Sequence, residues 1–451
     1  MYKYRLLVYS IASIVMFVFA PSIFNYDFCF GCSGLYLLIG IDSLIQNRKD
    51  TGWLNFSFIF TLFLFITSFL IPLVLFTNGA YMFYSLFICK ATSLCTLALC
   101  CYYVGRYISL SKSSTAEFNF RITHSMVVIC NVLTIGVMIM YLLSFRNFLA
   151  SSNLTSNDID DRYLVTFLYA VPTLALLIST VYYQEYVAGL RTFISHNRIA
   201  LISMGIAIST SLFIGDRTIP LYLGLCILFV YIKFVKPIRP IVLISLVLFA
   251  GLFFYIIGQT RKGDNSIRES GISGILSYEP SEEKFIDYFS DFYPASEANY
   301  LFVKWRDDHP ESLYYPGKFF IYLFAPIPFV PSFLAYHIYG VPFNQLSSGY
   351  LSTNQYNQYI RIINGGIGTH AVGDIYISWG VLGVIFLFYL LGYIVGKSYK
   401  NCKINILSAL IYMSLFADAM YMARASLIDC YRTIVFQIIL YYIIKQISIS
   451  K

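Results

Sequence analysis

Long runs of apolar residues, separated by short polar connections, make up most of the chain. A helix that crosses a bilayer needs about 20 mostly apolar residues. The pattern therefore predicts an all-α polytopic membrane protein with about twelve transmembrane helices. Their predicted ranges are residues 6–24, 28–45, 54–76, 82–103, 125–145, 163–187, 199–215, 218–235, 240–257, 370–396, 404–422 and 427–446.

One connection is much longer than the others and divides the chain into three regions. Residues 1–257 form an N-terminal bundle of about nine helices, 258–369 form a large loop, and 370–451 form the last three helices. The loop contains a strongly apolar stretch at 319–336, but Pro326, Pro328 and Pro331 would break a helix there. We expect this stretch to be a hairpin or re-entrant piece that lies against the membrane.

The composition fits this architecture and excludes other classes of protein. Hydrophobic residues make up 58% of the chain, charged residues 12%, and the mean hydropathy is +0.69. Such values exclude a soluble enzyme and a disordered chain. The net charge of +8 comes without a basic run, so a nucleic-acid partner is not expected.

The distribution of Lys and Arg predicts the orientation. Seventeen lie in the termini and in the connections on one side of the predicted helices, against five in the short connections on the other side. Because positive residues favour the cytoplasmic side, both termini are predicted to be cytoplasmic and the large loop to lie outside.

Motifs for nucleotide or metal chemistry are missing from the sequence. There is no Walker loop, no HExxH and no GxSxG. Cys29 and Cys32 form a CxxC without a second pair, which is insufficient for a zinc site. No metal and no cofactor is therefore predicted.

Candidate chemistry gathers at the outer ends of the predicted helices. Arg217, in the sequence Gly215-Asp216-Arg217, opens the eighth helix, whose free N–H groups and dipole favour an anion such as pyrophosphate. The alternative is that Arg217 reaches the membrane interface or pairs with Asp216.

A glycine-rich turn, residues 365–369, leads into the tenth helix. His370 and Asp374 follow it four residues apart, so they share a helix face. The carboxylate could orient the imidazole as a general base. Alternatively, His370 caps the helix and Asp374 complements its dipole.

Three further arginines complete the predicted substrate site: Arg261, Arg361 and Arg424. Each is also compatible with a solvated or lipid-facing position. Lys90 is predicted near the middle of the fourth helix, facing the bundle interior because a charge in lipid is costly.

These features resemble the Wzy-type O-antigen polymerases, which polymerise oligosaccharide repeat units. The resemblance is carried by the Gly215-Asp216-Arg217 helix end, the large loop before the last three helices, and the helix containing Asp374-Ile375-Tyr376 and Trp379-Gly380-Val381-Leu382-Gly383. It covers most of the chain as architecture and about thirty residues as motif.

The resemblance implies a GT-C-like or O-antigen polymerase/ligase-like fold in the bacterial inner membrane, with the large loop in the periplasm. A membrane glycosyltransferase would join undecaprenyl-pyrophosphate-linked oligosaccharides without a cofactor. Its candidate catalytic residues are His370 and Asp374, and its candidate binding residues are Arg217, Arg261, Arg361 and Arg424. The partners would be the lipid-linked glycan, the bilayer and a candidate chain-length regulator.

Three alternatives remain open. A flippase for lipid-linked sugars would have short outer loops and matched halves. An O-antigen ligase would have a similar architecture but would use the lipid A core as acceptor. A membrane scaffold would need neither Arg217 nor His370.

Overall fold

The structure is a computed structural model that describes residues 2–51, 54–75, 84–111, 122–150, 159–213, 218–239, 242, 245, 292–327, 329–360, 366–427 and 431–449. No β-strand occurs in these residues. Nine of the described helices are long and apolar enough to cross a bilayer. The predicted class of an all-α polytopic membrane protein is thus confirmed, whereas the number twelve stays a prediction.

The described helices follow the apolar runs, with shifts of a few residues. The first nine are α1 (Tyr2–Val18), α2 (Tyr26–Thr51), α3 (Phe56–Leu70), α4 (Ile88–Ser111), α5 (His124–Ala150), α6 (Ile159–Tyr182), α7 (Leu190–His196), α8 (Arg198–Phe213) and α9 (Thr218–Val230). The others are α10 (Tyr293–Asp308), α11 (Lys318–Leu323), α12 (Val330–Tyr339), α13 (Ser348–Tyr359), α14 (Ala371–Asn401), α15 (Ile406–Arg424) and α16 (Tyr431–Ile449).

Three of the twelve predicted spans are not among these nine long apolar helices. The predicted span 6–24 corresponds to the 17-residue α1, and the span 199–215 corresponds to the 16-residue α8. The predicted span 240–257 lies outside the described residues apart from 242 and 245.

The chain forms two compact units that interleave segments distant in sequence. The first unit comprises Met1–Thr115, Ile286–Lys400 and Asp418–Arg432. The second comprises Ala116–Phe285, Asn401–Ala417 and Thr433–Lys451. Each unit therefore contains parts of all three predicted regions. The candidate functional site lies within the first unit.

Within the first unit, glycines allow α4 and α14 to approach backbone to backbone. A Cβ atom on Gly392 would overlap the carbonyl oxygen of Tyr102, and one on Gly105 would overlap that of Tyr389. Small residues permit such close helix contacts in membrane proteins. The contact includes Gly105, which the prediction placed beyond the helix end, whereas α4 continues through Gly105 and Arg106 to Ser111.

The apolar stretch at 319–336 is not one helix. It includes most of α11 and most of α12, and the described residues between them, 324–327 and 329, are not helical. This agrees with the helix break expected from the prolines. Pro331 occupies the first turn of α12, a position that proline tolerates because the N–H there has no partner in the helix.

The predicted position of Lys90 is wrong. Lys90 lies in the first turn of α4, which begins at Ile88, rather than near the middle of a helix. Its side chain is 31% exposed and forms an ion pair with Asp307 of α10. A cation at a helix end can reach a polar partner, so it does not carry the cost of a charge in the middle of a bilayer.

Candidate functional site

The site is built on the first nine residues of α14, a half-helix that the Gly380 kink separates from the rest of α14. Gly380 interrupts it with φ 66° and ψ −163°, a conformation that glycine adopts far more readily than other residues. Before this kink, residues 371–378 are all buried. Because every face of this segment is buried, each of its polar side chains needs a hydrogen-bond partner within the protein.

Asp374 is the charged residue of this buried half-helix. Its Oδ1 lies 2.5 Å from the ammonium Nζ of Lys318, the first residue of α11. Its Oδ2 accepts a hydrogen bond of 2.6 Å from the hydroxyl of Ser426, in the connection after α15. The side chains of Lys318 and Asp374 are only 2% and 1% exposed. We call Lys318, Asp374 and Ser426 the charged cluster.

The charged cluster is costly for the fold. Taking two ions out of water costs several kcal/mol per ion, which good geometry and extra hydrogen bonds offset. Here the Ser426 hydroxyl satisfies the second carboxylate oxygen, and the first turn of α14 places Asp374 near the positive end of the helix dipole. The ammonium of Lys318 also lies 5.1 Å from the ring centre of Tyr314, a favourable cation–π distance.

Tyr314 is an uncharged side chain that lies beside this ion pair. Its hydroxyl donates a 2.6 Å hydrogen bond to the carbonyl oxygen of Gln345. Burial raises the pKa of Tyr314 above its ordinary value, because the charged phenolate would lose its hydration. The phenol therefore stays protonated and acts as a hydrogen-bond donor.

His370 occupies the N-terminal end of α14 and is fully buried. Its Nδ1 accepts a hydrogen bond of 3.3 Å from the backbone N–H of Val372. Its Nε2 lies 3.3 Å from the Ser68 hydroxyl and 3.4 Å from that of Thr67. Because Nδ1 accepts, we infer that the proton is on Nε2. Burial lowers the pKa of His370 to about 3, so the ring is neutral near pH 7.

The two predicted catalytic residues therefore have separate environments. Among the described residues, the hydrogen bond that joins them runs from the backbone N–H of Asp374 to the carbonyl oxygen of His370, at 2.9 Å. The imidazole faces hydroxyls of α3, whereas the carboxylate faces Lys318 and Ser426. Their common helix face is thus present without a side-chain pair, and His370 acts as a helix cap in this geometry.

Hydroxyl groups of α13 hold the glycine-rich turn in front of α14. Ser352 donates to the carbonyl oxygen of Gly368 at 2.5 Å, and Thr353 accepts from the N–H of Ile367 at 3.2 Å. Gly368 has φ 79°, in the left-handed region that favours glycine. The turn is thereby fixed against the large-loop segment rather than left open.

The structure places one of the four predicted binding arginines. Arg424 is partly buried at the end of α15, with its guanidinium 5.7 Å from the ring centre of Phe292, and it precedes Ser426 by two residues. Arg217, Arg261 and Arg361 lie outside the described residues. Their convergence on one cavity stays a prediction.

Lys318 and Ser426 were not predicted from the sequence as site residues. Lys318 had a usable signal, because no Asp, Glu, Lys or Arg occurs from residue 319 to 360, so a lone cation stands directly before an uncharged run. Ser426 had no such signal, since a serine in a short connection is ordinary. The contact of each with Asp374 spans more than fifty residues of sequence.

Cysteines and metal-binding groups do not add to this site. Cys29 and Cys32 are buried, and Cys29 Sγ lies 3.8 Å from Cys89 Sγ. Across the part of the chain that the structure describes, no three His, Cys, Asp or Glu side chains are grouped so that they could hold a metal ion.

Comparison with known proteins gives no relative: no family model, no curated protein and no solved structure matches the chain.

Proposed function

We propose that this protein is a membrane glycosyltransferase that polymerises undecaprenyl-pyrophosphate-linked repeat units of a surface polysaccharide. The setting would be the bacterial inner membrane, with cytoplasmic termini and the large loop in the periplasm. The observation that supports the proposal is the charged cluster, an ionised pair buried at a broken helix. A buried ion pair is costly and often stabilises a fold less than apolar residues of the same volume would, so we infer that this pair has a function.

In the proposed reaction, Asp374 is the general base. A hydroxyl of the acceptor sugar takes the place that the Ser426 hydroxyl now has on Oδ2. Its oxygen attacks the anomeric carbon of the donor glycan while the bond from that carbon to the pyrophosphate oxygen breaks. The hydroxyl proton passes to Asp374 Oδ2, and undecaprenyl pyrophosphate leaves. Lys318 holds Oδ1, so the second oxygen points in one fixed direction.

Arginines would supply the second requirement, which is stabilisation of the leaving pyrophosphate. Guanidinium groups bind phosphate oxygens in pairs and keep their charge at any physiological pH. Arg424 is the described candidate because it lies two residues from Ser426. Arg217, Arg261 and Arg361 are the other candidates. Charge that develops on the leaving group would be stabilised by these side chains.

The segment 292–360 would contribute the sugar site and exclude water, which limits hydrolysis of the donor. Its aromatic residues include Trp305, Tyr314 and Tyr359, and aromatic rings offer flat apolar faces to sugar rings. His370 has a positioning role in this proposal, because its ring caps the helix that carries Asp374.

The test is the Asp374→Asn variant in proteoliposomes supplied with purified lipid-linked repeat units. We expect the rate of chain elongation, read from glycan length on a gel, to fall at least about a hundredfold, the usual effect of losing a general base. Asp307→Asn is the matched control, because it removes a more exposed carboxylate that pairs with Lys90 in the same unit. Elongation at the wild-type rate by folded Asp374→Asn protein would exclude Asp374 as the base.

A transporter is the second candidate, and one feature of α14 favours it. Discontinuous helices with buried charge form the substrate sites of many secondary transporters. The same proteoliposomes separate the two functions. A flippase would move the lipid-linked oligosaccharide across the bilayer with no new glycosidic bond, whereas a polymerase would lengthen the glycan. A ligase would transfer the glycan only when lipid A core is added as acceptor.

A further inference from the structure

The helical hairpin formed by α11 and α12, described at residues 318–327 and 329–339, has a small core of its own. Ile321, Ala335 and Leu346 are buried together, and Tyr339 packs against them. The Tyr339 hydroxyl accepts a hydrogen bond of 2.7 Å from the N–H of Gly317, which ties the end of the hairpin to its beginning. The hairpin is therefore a defined element rather than an irregular loop.

Away from this core, the hairpin exposes many large apolar side chains. No Asp, Glu, Lys or Arg occurs between residues 319 and 360. The exposed apolar side chains are Phe320, Leu323, Phe324, Ile327, Phe329, Phe333, Tyr336 and Ile338. A soluble surface rarely carries so many large apolar groups close together in sequence.

Phe329 lies at the tip and is the most exposed of these residues, at 76%. Its φ of 66° lies in the left-handed region, which is unusual for a bulky side chain and costs roughly 1–2 kcal/mol. The fold thus holds an aromatic ring outward in an unfavourable backbone conformation. Strain of this kind points to a role for the side chain outside the packed core.

Contacts with α14 show at which position along α14 the hairpin packs. The rings of Phe319 and Phe320 lie 5.2 and 6.4 Å from that of Trp379. Trp379 directly precedes the Gly380 kink and donates a 2.7 Å hydrogen bond to the carbonyl oxygen of Pro316. Just beyond the kink, Leu382 is 79% exposed, as expected of a lipid-facing residue.

The part of α14 after the kink is long enough to span a bilayer by itself. Residues 381–401 would extend about 31 Å at 1.5 Å per residue, close to the thickness of the hydrocarbon core. The kink then lies at the boundary between lipid tails and headgroups, where tryptophan is enriched. The hairpin packs at this same level.

The backbone of the hairpin is compatible with an apolar environment. The N–H groups of Phe324, Ala325 and Ile327 donate to the carbonyl oxygens of Ile321, Tyr322 and Phe324 at 2.8–3.0 Å. The N–H of Phe333 donates to the carbonyl oxygen of Phe329 at 3.0 Å. Backbone groups that are paired internally can enter lipid without loss of their hydrogen bonds.

We propose that the α11–α12 hairpin is a membrane-surface anchor whose apolar face is immersed in the boundary between headgroups and acyl chains. A phospholipid bilayer fits this face better than a protein partner does, because protein interfaces carry a polar rim and this face has no Asp, Glu, Lys or Arg. For the same reason, binding would depend on buried apolar area and not on anionic lipid. The exposed ring of His337 lies 3.9 Å from that of Phe333. The inference stands independently of the proposed reaction.

The test places a photoreactive benzoylphenylalanine at position 329 or 333 of the full-length protein in phosphatidylcholine vesicles. Both substitutions exchange one exposed aromatic ring for another. We expect phospholipid adducts, detected as a mass increase of the peptide, at both positions. Adding phosphatidylglycerol to the vesicles should leave the yield unchanged.

Glu311 is the control position, because it is exposed in the same unit and follows the acidic residues Asp307 and Asp308 in the sequence. Benzoylphenylalanine there should give no lipid adduct. The anchor proposal is overturned if positions 329 and 333 crosslink to protein, if they give no more lipid adduct than position 311, or if they require anionic lipid. These readouts report lipid contact directly, so they do not depend on whether the protein transfers glycans.

Discussion

Among the polar side chains that are buried between the described helices, two groups differ in charge: one is ionic and the other is neutral. The ionic group is the charged cluster of the first unit, in which Asp374 binds the ammonium of Lys318 and the hydroxyl of Ser426. It joins three segments that are far apart in sequence. It also lies on the half-helix that ends at the Gly380 kink.

The neutral group lies in the second unit and connects α6, α9, α15 and α16. Gln437 donates from Nε2 to the hydroxyl of Thr173 at 2.8 Å and accepts at Oε1 from the hydroxyl of Ser414 at 2.7 Å. The hydroxyl of Tyr222 donates to Ser414 at 3.3 Å. All four side chains are buried.

The difference in charge indicates that the two groups have different roles, one structural and one in the reaction. Neutral hydrogen bonds between membrane helices stabilise packing by about 0.6–2 kcal/mol each, and they need no further explanation. A buried ion pair stabilises a fold less effectively than apolar residues of the same volume often would. We therefore expect the neutral group to hold helices together and the charged cluster to serve the reaction.

The largest effect on stability is expected for Lys318→Met. This change leaves the Asp374 carboxylate buried without its cation. We expect the free energy of unfolding to fall by roughly 3–5 kcal/mol. The measurement is thermal and denaturant unfolding of the purified protein in detergent. The double variant Lys318→Met/Asp374→Leu removes both charges and should recover most of this loss.

Elongation activity distinguishes the double variant from the wild type. If the charged cluster serves the reaction, the double variant should be stable but inactive. A double variant that is both stable and active would show that the pair is only structural. A single variant that loses less than about 1 kcal/mol would contradict the burial of an unpaired charge.

The second effect is a pH dependence of stability that comes from His370. Burial lowers the pKa of His370 to about 3 in the folded protein, whereas an unfolded histidine has a pKa of about 6.5. Between these values the unfolded chain binds the extra proton, so stability falls as the pH falls from about 6.5 toward 3. From pH 8 to pH 5 this one group should reduce the free energy of unfolding by about 2 kcal/mol.

The measurement compares the unfolding free energy of wild type and His370→Gln at pH 8 and pH 5. The variant cannot take up the proton, so it should lose less stability on acidification. His309→Gln is the control, since His309 is an exposed histidine of the same unit, and it should behave like wild type. Equal pH dependence in wild type and His370→Gln would contradict a buried, neutral imidazole at this position.

The sequence was sufficient for the membrane class and for most of the long helices, because apolar runs of about 20 residues have few alternatives. The prolines between 319 and 336 also identified a break in the helix correctly. The polar helix α10 was not predicted. Its residues carry no long apolar run, and it is held by tertiary contacts such as the hydrogen bond from Ser296 to the carbonyl oxygen of Thr67.

For the site, spacing along one helix was an incomplete guide. It placed His370 and Asp374 on one face, but it could not say which side chains from other segments would face them. Thr67 and Ser68 lie within hydrogen-bond distance of the imidazole. Lys318, which is 56 residues from Asp374 in sequence, binds the carboxylate. Contacts between distant segments depend on packing, which hydropathy and local spacing do not encode.

The smallest effect is expected for Gln437→Leu in the neutral group. Leucine has a similar volume and suits the surrounding apolar helices, and the Thr173 hydroxyl keeps its bond to the carbonyl oxygen of Tyr169. We expect a loss of about 1 kcal/mol in the free energy of unfolding and unchanged glycan elongation. Gln446→Leu, at an exposed position of the same helix, should change neither. If Gln437→Leu abolished elongation in a folded protein, the neutral group would also be needed for the reaction. The presence of charge would then no longer distinguish a functional group from a structural one.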